Sequence, residues 1–83
     1  MKVLYFAWLR QRTGIGEEDV SLPDGVETAA DLVAHLKTLS PGHAKAFQDT
    51  SAIKLAIDQD FAGFGDSIRG AREVAFFPPV TGG

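Results

Sequence analysis

The opening segment of the chain is apolar on both faces of any strand that it could form. Residues 2–9 carry no charge after Lys2, and a strand buried on both faces shows such a continuous apolar run. Residues 18–22 then alternate between polar and apolar side chains, which is the period of a half-exposed strand. The pattern therefore predicts a central first strand and a second strand close enough in sequence to pair with it.

A helix is predicted to begin after Thr28. The Thr28 side chain can accept a hydrogen bond from a free backbone amide, and Asp31 can reach back to complete a capping box. The segment Ser40-Pro41-Gly42 is expected to end this helix. Apolar residues recur at spacings of three and four between these points, which places them on one helix face: Ala29, Leu32, Val33, Leu36 and Leu39.

The second half of the chain shows strand patterns again. Residues 53–57 alternate as a third strand, and residues 58–60 have the composition of a hairpin turn. Residues 61–64 are expected to form a short fourth strand that two glycines weaken. Residues 73–77 form the last predicted strand, which two prolines stop.

The order of these elements predicts an α+β domain. A mixed sheet of four to five strands would pack on one main helix, which lies between the second and third strands. If the last strand lies parallel beside the first, both strands are central and the architecture is a β-grasp. We therefore expect a β-grasp domain over residues 1–77 and a flexible, extended tail over residues 78–83.

The tail has an unusual composition. Pro78 and Pro79 favour an extended backbone, whereas Gly82 and Gly83 have no side chain that would clash in a narrow channel. Six extended residues could reach roughly 20 Å, far enough to enter the active site of another protein. An ordinary frayed terminus is the alternative interpretation. The expected threading segment is Pro78, Pro79, Val80, Thr81, Gly82 and Gly83.

Composition excludes several classes of function. The 83 residues include no cysteine, which removes disulfides, CxxC redox pairs and thiolate zinc sites. The net charge is −3 and the eight Lys and Arg residues are scattered, which argues against nucleic-acid binding. The sequence shows no apolar run of membrane-spanning length and no signal peptide. We therefore expect a cytoplasmic protein that contacts neither nucleic acid nor membrane.

Internal side chains offer little chemistry. His35 and His43 lack a second ligand at metal-binding spacing, no nucleophile elbow accompanies the serines, and the acidic run Glu17-Glu18-Asp19 is expected to be solvated. The best candidate reactive group is the carboxylate of Gly83. It is anionic at neutral pH and must first be activated, for example by ATP as an acyl-adenylate. Attack by sulfur would then give a thiocarboxylate, and attack by a lysine amine would give an isopeptide bond.

The C-terminal segment carries a specific resemblance. Residues 66–83, which end Glu73-Val-Ala-Phe-Phe-Pro-Pro-Val-Thr-Gly-Gly83, resemble the C-terminus of the molybdopterin synthase small subunits, a family of ubiquitin-like sulfur carriers. The similarity extends more weakly through residues 3–10 and the hairpin at residues 56–59. Asp58 stands where the family commonly has Asn, and residues 69–72 are basic where relatives often carry an acidic turn.

The resemblance implies a carrier without catalytic side chains or tightly bound cofactors of its own. An adenylating enzyme would use ATP to activate Gly83, and a persulfide system would convert it to a thiocarboxylate. The tail would then donate sulfur to cyclic pyranopterin monophosphate in the active site of a large subunit, within a heterotetramer of two small and two large subunits. A sulfur carrier for thiamine thiazole synthesis, a ubiquitin-like protein modifier and a plain binding module are the alternatives.

The residues next to the tail predict a partner interface. Because neighbouring strand residues point to opposite faces, one of Phe76 and Phe77 should be buried and the other available, and we assign the contact to Phe77. Arg10, Arg69 and Arg72 are candidates for pairing with acidic groups of partners, although solvated surface charge is the better default explanation for them.

Overall fold

The computed structural model describes residues 1–79, in which five strands and three α-helices surround one core. A single 3₁₀ turn covers Thr50–Ala52. The helices are α1 (Trp8–Thr13), α2 (Ala29–Leu36) and α3 (Pro41–Ala46). The strands are β1 (Lys2–Tyr5), β2 (Glu17–Asp19), β3 (Lys54–Ile57), β4 (Asp60–Ala62) and β5 (Glu73–Phe77).

The strands form one mixed sheet in the order β2-β1-β5-β3-β4. β1 and β5 run parallel at its centre, and the other neighbours are antiparallel. The inward residues Val3, Tyr5, Val74 and Phe76 form one core with Leu32 and Leu36 of α2. The predicted β-grasp architecture, with its mixed sheet and main helix, is confirmed.

The first strand is shorter than predicted. β1 ends at Tyr5, Ala7 adopts a positive φ of 54°, and α1 begins at Trp8. The prediction that residues 6–9 continue the strand was therefore wrong. Leu9 is fully buried by the helix instead. A short apolar run satisfies a buried strand and a buried helix turn equally well, so its periodicity could not separate them.

The start of α2 follows the predicted capping box. The Asp31 amide donates to Thr28 Oγ1 at 3.1 Å, and the Thr28 amide donates to Asp31 Oδ2 at 3.2 Å. The helix ends at Leu36, so Leu39 does not join its buried face and remains 43% exposed. This prediction was wrong because the apolar spacing continues beyond the last hydrogen-bonded turn.

The segment Ser40-Pro41-Gly42 separates α2 from a third helix that the sequence pattern did not reveal. Ser40 caps α3 by accepting a hydrogen bond from the His43 amide at 3.1 Å, and Pro41 occupies the first turn, where no amide donor is required. A Cβ at Gly42 would collide with the carbonyl oxygen of Arg12. The absence of a side chain therefore lets α3 pack closely on the end of α1.

The hairpin between β3 and β4 has the predicted turn. Asp58 and Gln59 have φ values of 49° and 72°, as a two-residue turn of the I′ type requires. The Asp58 Oδ1 atom accepts hydrogen bonds from the amides of Arg72 at 2.9 Å and Glu73 at 3.0 Å. Asp58 therefore ties the hairpin to the start of β5. The fourth strand covers residues 60–62 and not the predicted 61–64, because the chain turns at Gly63.

We expect Asp58→Ala to lower the free energy of unfolding by about 1–2 kcal/mol, because the variant loses two hydrogen bonds and a residue that tolerates positive φ. The matched control is Asp58→Asn, which keeps both the acceptor oxygen and the tolerance of positive φ. We expect this control to stay within about 0.5 kcal/mol of the parent protein in urea unfolding. Equal losses in the two variants would contradict this role of Asp58.

Candidate functional site

The site is built around the point where the chain leaves β5. Because β1 and β5 are parallel, both end at the same end of the sheet, and the Phe6 amide donates to the Phe76 carbonyl at 3.1 Å. Pro78 and Pro79 follow directly, the first half-buried and the second exposed. The base of the predicted tail therefore lies at the centre of the sheet. Val80, Thr81, Gly82 and Gly83, the rest of the predicted threading segment, lie outside the described residues.

The two phenylalanines of β5 point in opposite directions. Phe76 is fully buried, with its ring centroid 4.9 Å from that of Phe47 in an edge-to-face contact. Phe77 is only partly buried, and its ring centroid lies 6.0 Å from that of Phe61 on the opposite face. The structure therefore removes Phe76 from the candidate contact residues. The contact role of Phe77 stays a prediction.

The outer face of the sheet carries an apolar strip that sequence reasoning missed. Leu4 lies opposite Ala75, Ala75 opposite Ala56, and Ala56 opposite Phe61, so these side chains cross four strands in register. We call these four residues, together with Phe77, the outer apolar strip. Phe61 is 85% exposed. The one indication of this exposure in the sequence is that Phe61 lies between Asp60 and Ala62, in a strand that the structure places at the sheet edge.

A groove of about 560 Å³ adjoins the outer apolar strip at Leu4. Phe6 and Ile15 are exposed large hydrophobic residues in its walls, and Phe6 is 49% exposed. The Arg10 guanidinium lies across Gly16, and its carbon would be 3.3 Å from a Cβ at that position. The tail base is therefore flanked by exposed apolar side chains and by charged ones. Arg10 and Glu17 line the groove, and Lys54 lies opposite Phe77 on the outer face.

The three candidate arginines do not form one cluster. Arg10 lies in the groove beside the tail base. Arg69 lies 3.9 Å from Glu27 in an exposed ion pair, within the connection that leads to β5. The Arg72 carbonyl accepts from the Lys2 amide at the start of β1, which is the end of the sheet opposite the tail. Of the three, the geometry keeps only Arg10 next to the tail.

His43 is buried in a chain of hydrogen bonds, with only 6% exposure. Its Nδ1 atom lies 2.7 Å from Ser40 Oγ, and its Nε2 atom lies 2.6 Å from Glu18 Oε2. Tyr5 donates its hydroxyl proton to the same Glu18 oxygen at 2.7 Å. Glu17 and Asp19 are exposed as expected, but the expectation that Glu18 is solvated was wrong. Ser40 caps α3, so this arrangement is structural and is not a nucleophilic triad.

Metal chemistry finds no support in the described residues. Across residues 1–79, no group of three or more His, Cys, Asp or Glu side chains is placed to hold a metal ion. His35 lies half-buried on α2, apart from the network of His43. None of the helices in the same part of the chain has the length and apolar character needed to cross a bilayer.

Sequence comparisons with known proteins identify the family of this chain. The ThiS family model matches residues 3–83. The chain belongs to the ThiS family. It is 36% identical to the molybdopterin synthase sulfur carrier subunit of Escherichia coli and 31% identical to that of Homo sapiens. Each alignment covers 100% of this chain, with 99% of the bacterial and 93% of the human protein.

Solved structures extend the comparison to the fold of this ThiS family member. SAMP1 from Haloferax volcanii superimposes with a TM-score of 0.77 at 26% identity, covering 100% of this chain and 98% of SAMP1. A putative molybdopterin converting factor, subunit 1, from Pyrococcus furiosus gives a TM-score of 0.75 at 29% identity, with 95% of each chain covered. The resemblance to the molybdopterin synthase small subunits, predicted from the sequence, is confirmed.

The buried hydroxyl of Tyr5 predicts a loss of stability at alkaline pH. Burial and then the hydrogen bond to Glu18 raise the pKa of Tyr5 well above its ordinary value. The neutral hydroxyl therefore stabilises the folded state fully below the unfolded pKa of about 10 and progressively less as the pH rises beyond it. We expect Tyr5→Phe to cost about 1.5–3 kcal/mol at pH 8 because it removes a hydrogen bond to a carboxylate.

The cost of Tyr5→Phe should shrink between pH 8 and pH 11, roughly in step with ionisation of tyrosine in the unfolded chain. Urea unfolding of both proteins across this range measures the difference directly. A difference that stays constant or widens up to about pH 11 would contradict the proposed environment of Tyr5.

Proposed function

We propose that this ThiS family member is the sulfur carrier subunit of a molybdopterin synthase and that Gly83 is the residue that carries the sulfur. One observation carries the proposal: the similarity to proteins named as such subunits spans the whole sequence, and the family match includes residue 83. The parallel pairing of β1 and β5 supports it, because this pairing brings Pro78 and Pro79, the base of the tail, to the centre of the sheet.

Loading of Gly83 with sulfur proceeds in three steps. A carboxylate oxygen attacks the α-phosphorus of ATP, which forms an acyl-adenylate and releases pyrophosphate. The terminal sulfur of a persulfide then attacks the acyl carbon and displaces AMP, which leaves an acyl disulfide. A thiol reduces this disulfide with two electrons, giving the thiocarboxylate and a new disulfide. The adenylating enzyme binds the ATP in this scheme, and the carrier needs no tightly bound cofactor.

In this scheme the large subunit supplies the catalytic side chains for sulfur delivery. The loaded tail enters the large-subunit active site, where its sulfur bonds to a carbon of cyclic pyranopterin monophosphate and displaces an oxygen substituent. Water then cleaves the acyl–sulfur bond, which leaves the sulfur on the product and restores the carboxylate of Gly83. Each carrier holds one sulfur atom and a dithiolene contains two, so two carriers discharge for each product. A heterotetramer of two small and two large subunits fits this requirement.

The outer apolar strip, with the adjoining groove, is the docking surface in this proposal. Phe61, Phe77 and Phe6 expose apolar area around the tail base, and such clustered exposure is characteristic of protein interfaces. Arg10 supplies the one cation of the groove that lies beside the tail, where a partner carboxylate would pair with it. A partner bound there holds the carrier while the tail occupies its active site.

Incubation with the adenylating enzyme, ATP and a persulfide donor should increase the intact mass by one oxygen-to-sulfur exchange. The exchange should map to Gly83 and disappear when Gly82 and Gly83 are deleted, because the reactive carboxylate is then misplaced. Intact-mass spectrometry provides the measurement. Unchanged mass with a demonstrably active loading system would exclude the proposal, and isopeptide adducts on lysines would favour the protein modifier instead.

Phe61→Ala should weaken binding to the large subunit about tenfold or more, as expected for an aromatic residue inside an interface. The matched control is Leu39→Ala, which removes another exposed large hydrophobic side chain from the segment after α2. Calorimetric titration of each variant measures the dissociation constant. Equal affinities for the two variants would show that the outer apolar strip does not bind the large subunit.

A further inference from the structure

Four polar side chains connect α3 to two strands of the sheet. Ser40 is the N-cap of α3 and His43 lies in its first turn, whereas Glu18 lies on β2 and Tyr5 on β1. The His43 Nε2 atom and the Tyr5 hydroxyl both bind Glu18 Oε2, at 2.6 and 2.7 Å. A single carboxylate oxygen therefore joins the helix to the strand that runs beside β5.

Each buried polar atom of this network has a hydrogen-bond partner. No buried side-chain nitrogen or oxygen within residues 1–79 lacks a hydrogen-bond partner. A buried polar network of this kind costs desolvation that its hydrogen bonds only partly offset, so its main effect is to favour one arrangement of its elements over alternatives. Here it fixes the position of α3 relative to β1.

The position of α3 determines the contacts of Phe76. α3 ends at Ala46 and is followed by Phe47, whose ring meets Phe76 edge-to-face at 4.9 Å and Tyr5 at 6.2 Å. The Tyr5 ring is stacked on Phe76 at 6.5 Å with an interplanar angle of 17°. Phe76 lies two residues before Pro78. Glu18 thus binds one of the two rings, Tyr5, that pack against Phe76, the last buried residue before the tail base.

We propose that Glu18, acting through Tyr5 and His43, is a positioning residue that fixes the direction in which Pro78 and Pro79, the base of the tail, leave the sheet. This inference rests on the proposed function, since it concerns delivery of Gly83 to the adenylating enzyme. In this scheme the adenylating enzyme binds the same outer face of the sheet as the large subunit, opposite the inward rings of Tyr5 and Phe76. Loss of the network therefore leaves docking intact and shifts the tail base.

The test compares two substitutions at one position. Glu18→Gln keeps a carbonyl oxygen that accepts both hydrogen bonds, whereas Glu18→Ala removes the acceptor. Carrier variants are titrated as substrates of the adenylating enzyme with ATP, and pyrophosphate release gives kcat and KM. We expect Glu18→Ala to lower kcat about tenfold with KM unchanged, because misplacing a reacting group by 1 Å costs up to about 100-fold. Glu18→Gln should stay within about twofold of the parent protein.

A stability control separates positioning from general destabilisation. Ile68 is fully buried in the connection between β4 and β5, outside the ring cluster. Ile68→Val or Ile68→Ala, whichever matches the unfolding midpoint of Glu18→Ala, should retain the parent kcat. If Glu18→Ala does not fold, Tyr5→Phe takes its place, since it keeps the ring and loses only the hydroxyl contact.

Equal kcat for Glu18→Ala and its stability control would overturn the inference, as would a rise in KM at constant kcat. When Glu18→Ala does not fold, a parent-like kcat for Tyr5→Phe would overturn it. If the proposed function is wrong, the parent carrier itself releases no pyrophosphate with the adenylating enzyme. Pyrophosphate release by the parent carrier therefore separates this outcome from failure of the positioning role of Glu18.

Discussion

The parallel pairing of β1 with β5 holds the sheet, the core and the tail base together. The two strands come from opposite ends of the described chain, and their register runs from Lys2 opposite Glu73 to Tyr5 opposite Phe76. Closing such a long loop costs conformational entropy that grows only slowly with its length. Burial of Val3, Tyr5, Val74 and Phe76 at the sheet centre offsets this cost.

This pairing also gives the two faces of the sheet different tasks. Because side chains alternate along a strand, β5 buries Phe76 on one face and presents Phe77 on the other. The inner face holds the core, the ring cluster and the network of Glu18. The outer face holds the apolar strip. A single strand thus connects the core, the proposed docking surface and the tail, which explains how an 83-residue chain serves as a carrier.

Sequence reasoning succeeded where local chemistry decides the structure. The capping box of Thr28 and Asp31, the turn at Asp58 and the boundaries of β5 each depend on neighbouring residues and were predicted correctly. The start of α1 was missed because its apolar residues suit a strand as well as a helix. The environment of Glu18 was missed because its partners, Tyr5 and His43, are distant in sequence and meet only in the folded core.

The candidate site shows the same division. The two faces of β5 could be predicted from residue type and alternation, whereas the role of Gly82 and Gly83 stays a prediction. The outer apolar strip could not, because it appears only when the strand order places Leu4, Ala75, Ala56 and Phe61 in one row. Separation of Arg72 from the tail likewise follows from strand direction, which residue type does not reveal.

In the proposed function, the sheet face that carries the outer apolar strip docks the partner that receives the tail. Site-specific photo-crosslinking tests it most directly, with benzoylphenylalanine placed at Phe61 in one carrier and at Ala34, on the exposed side of α2, in another. We expect crosslinks to the large subunit from position 61 and none from position 34. Crosslinks from position 34 alone would place the partner on the helical side and exclude the outer apolar strip as the docking surface.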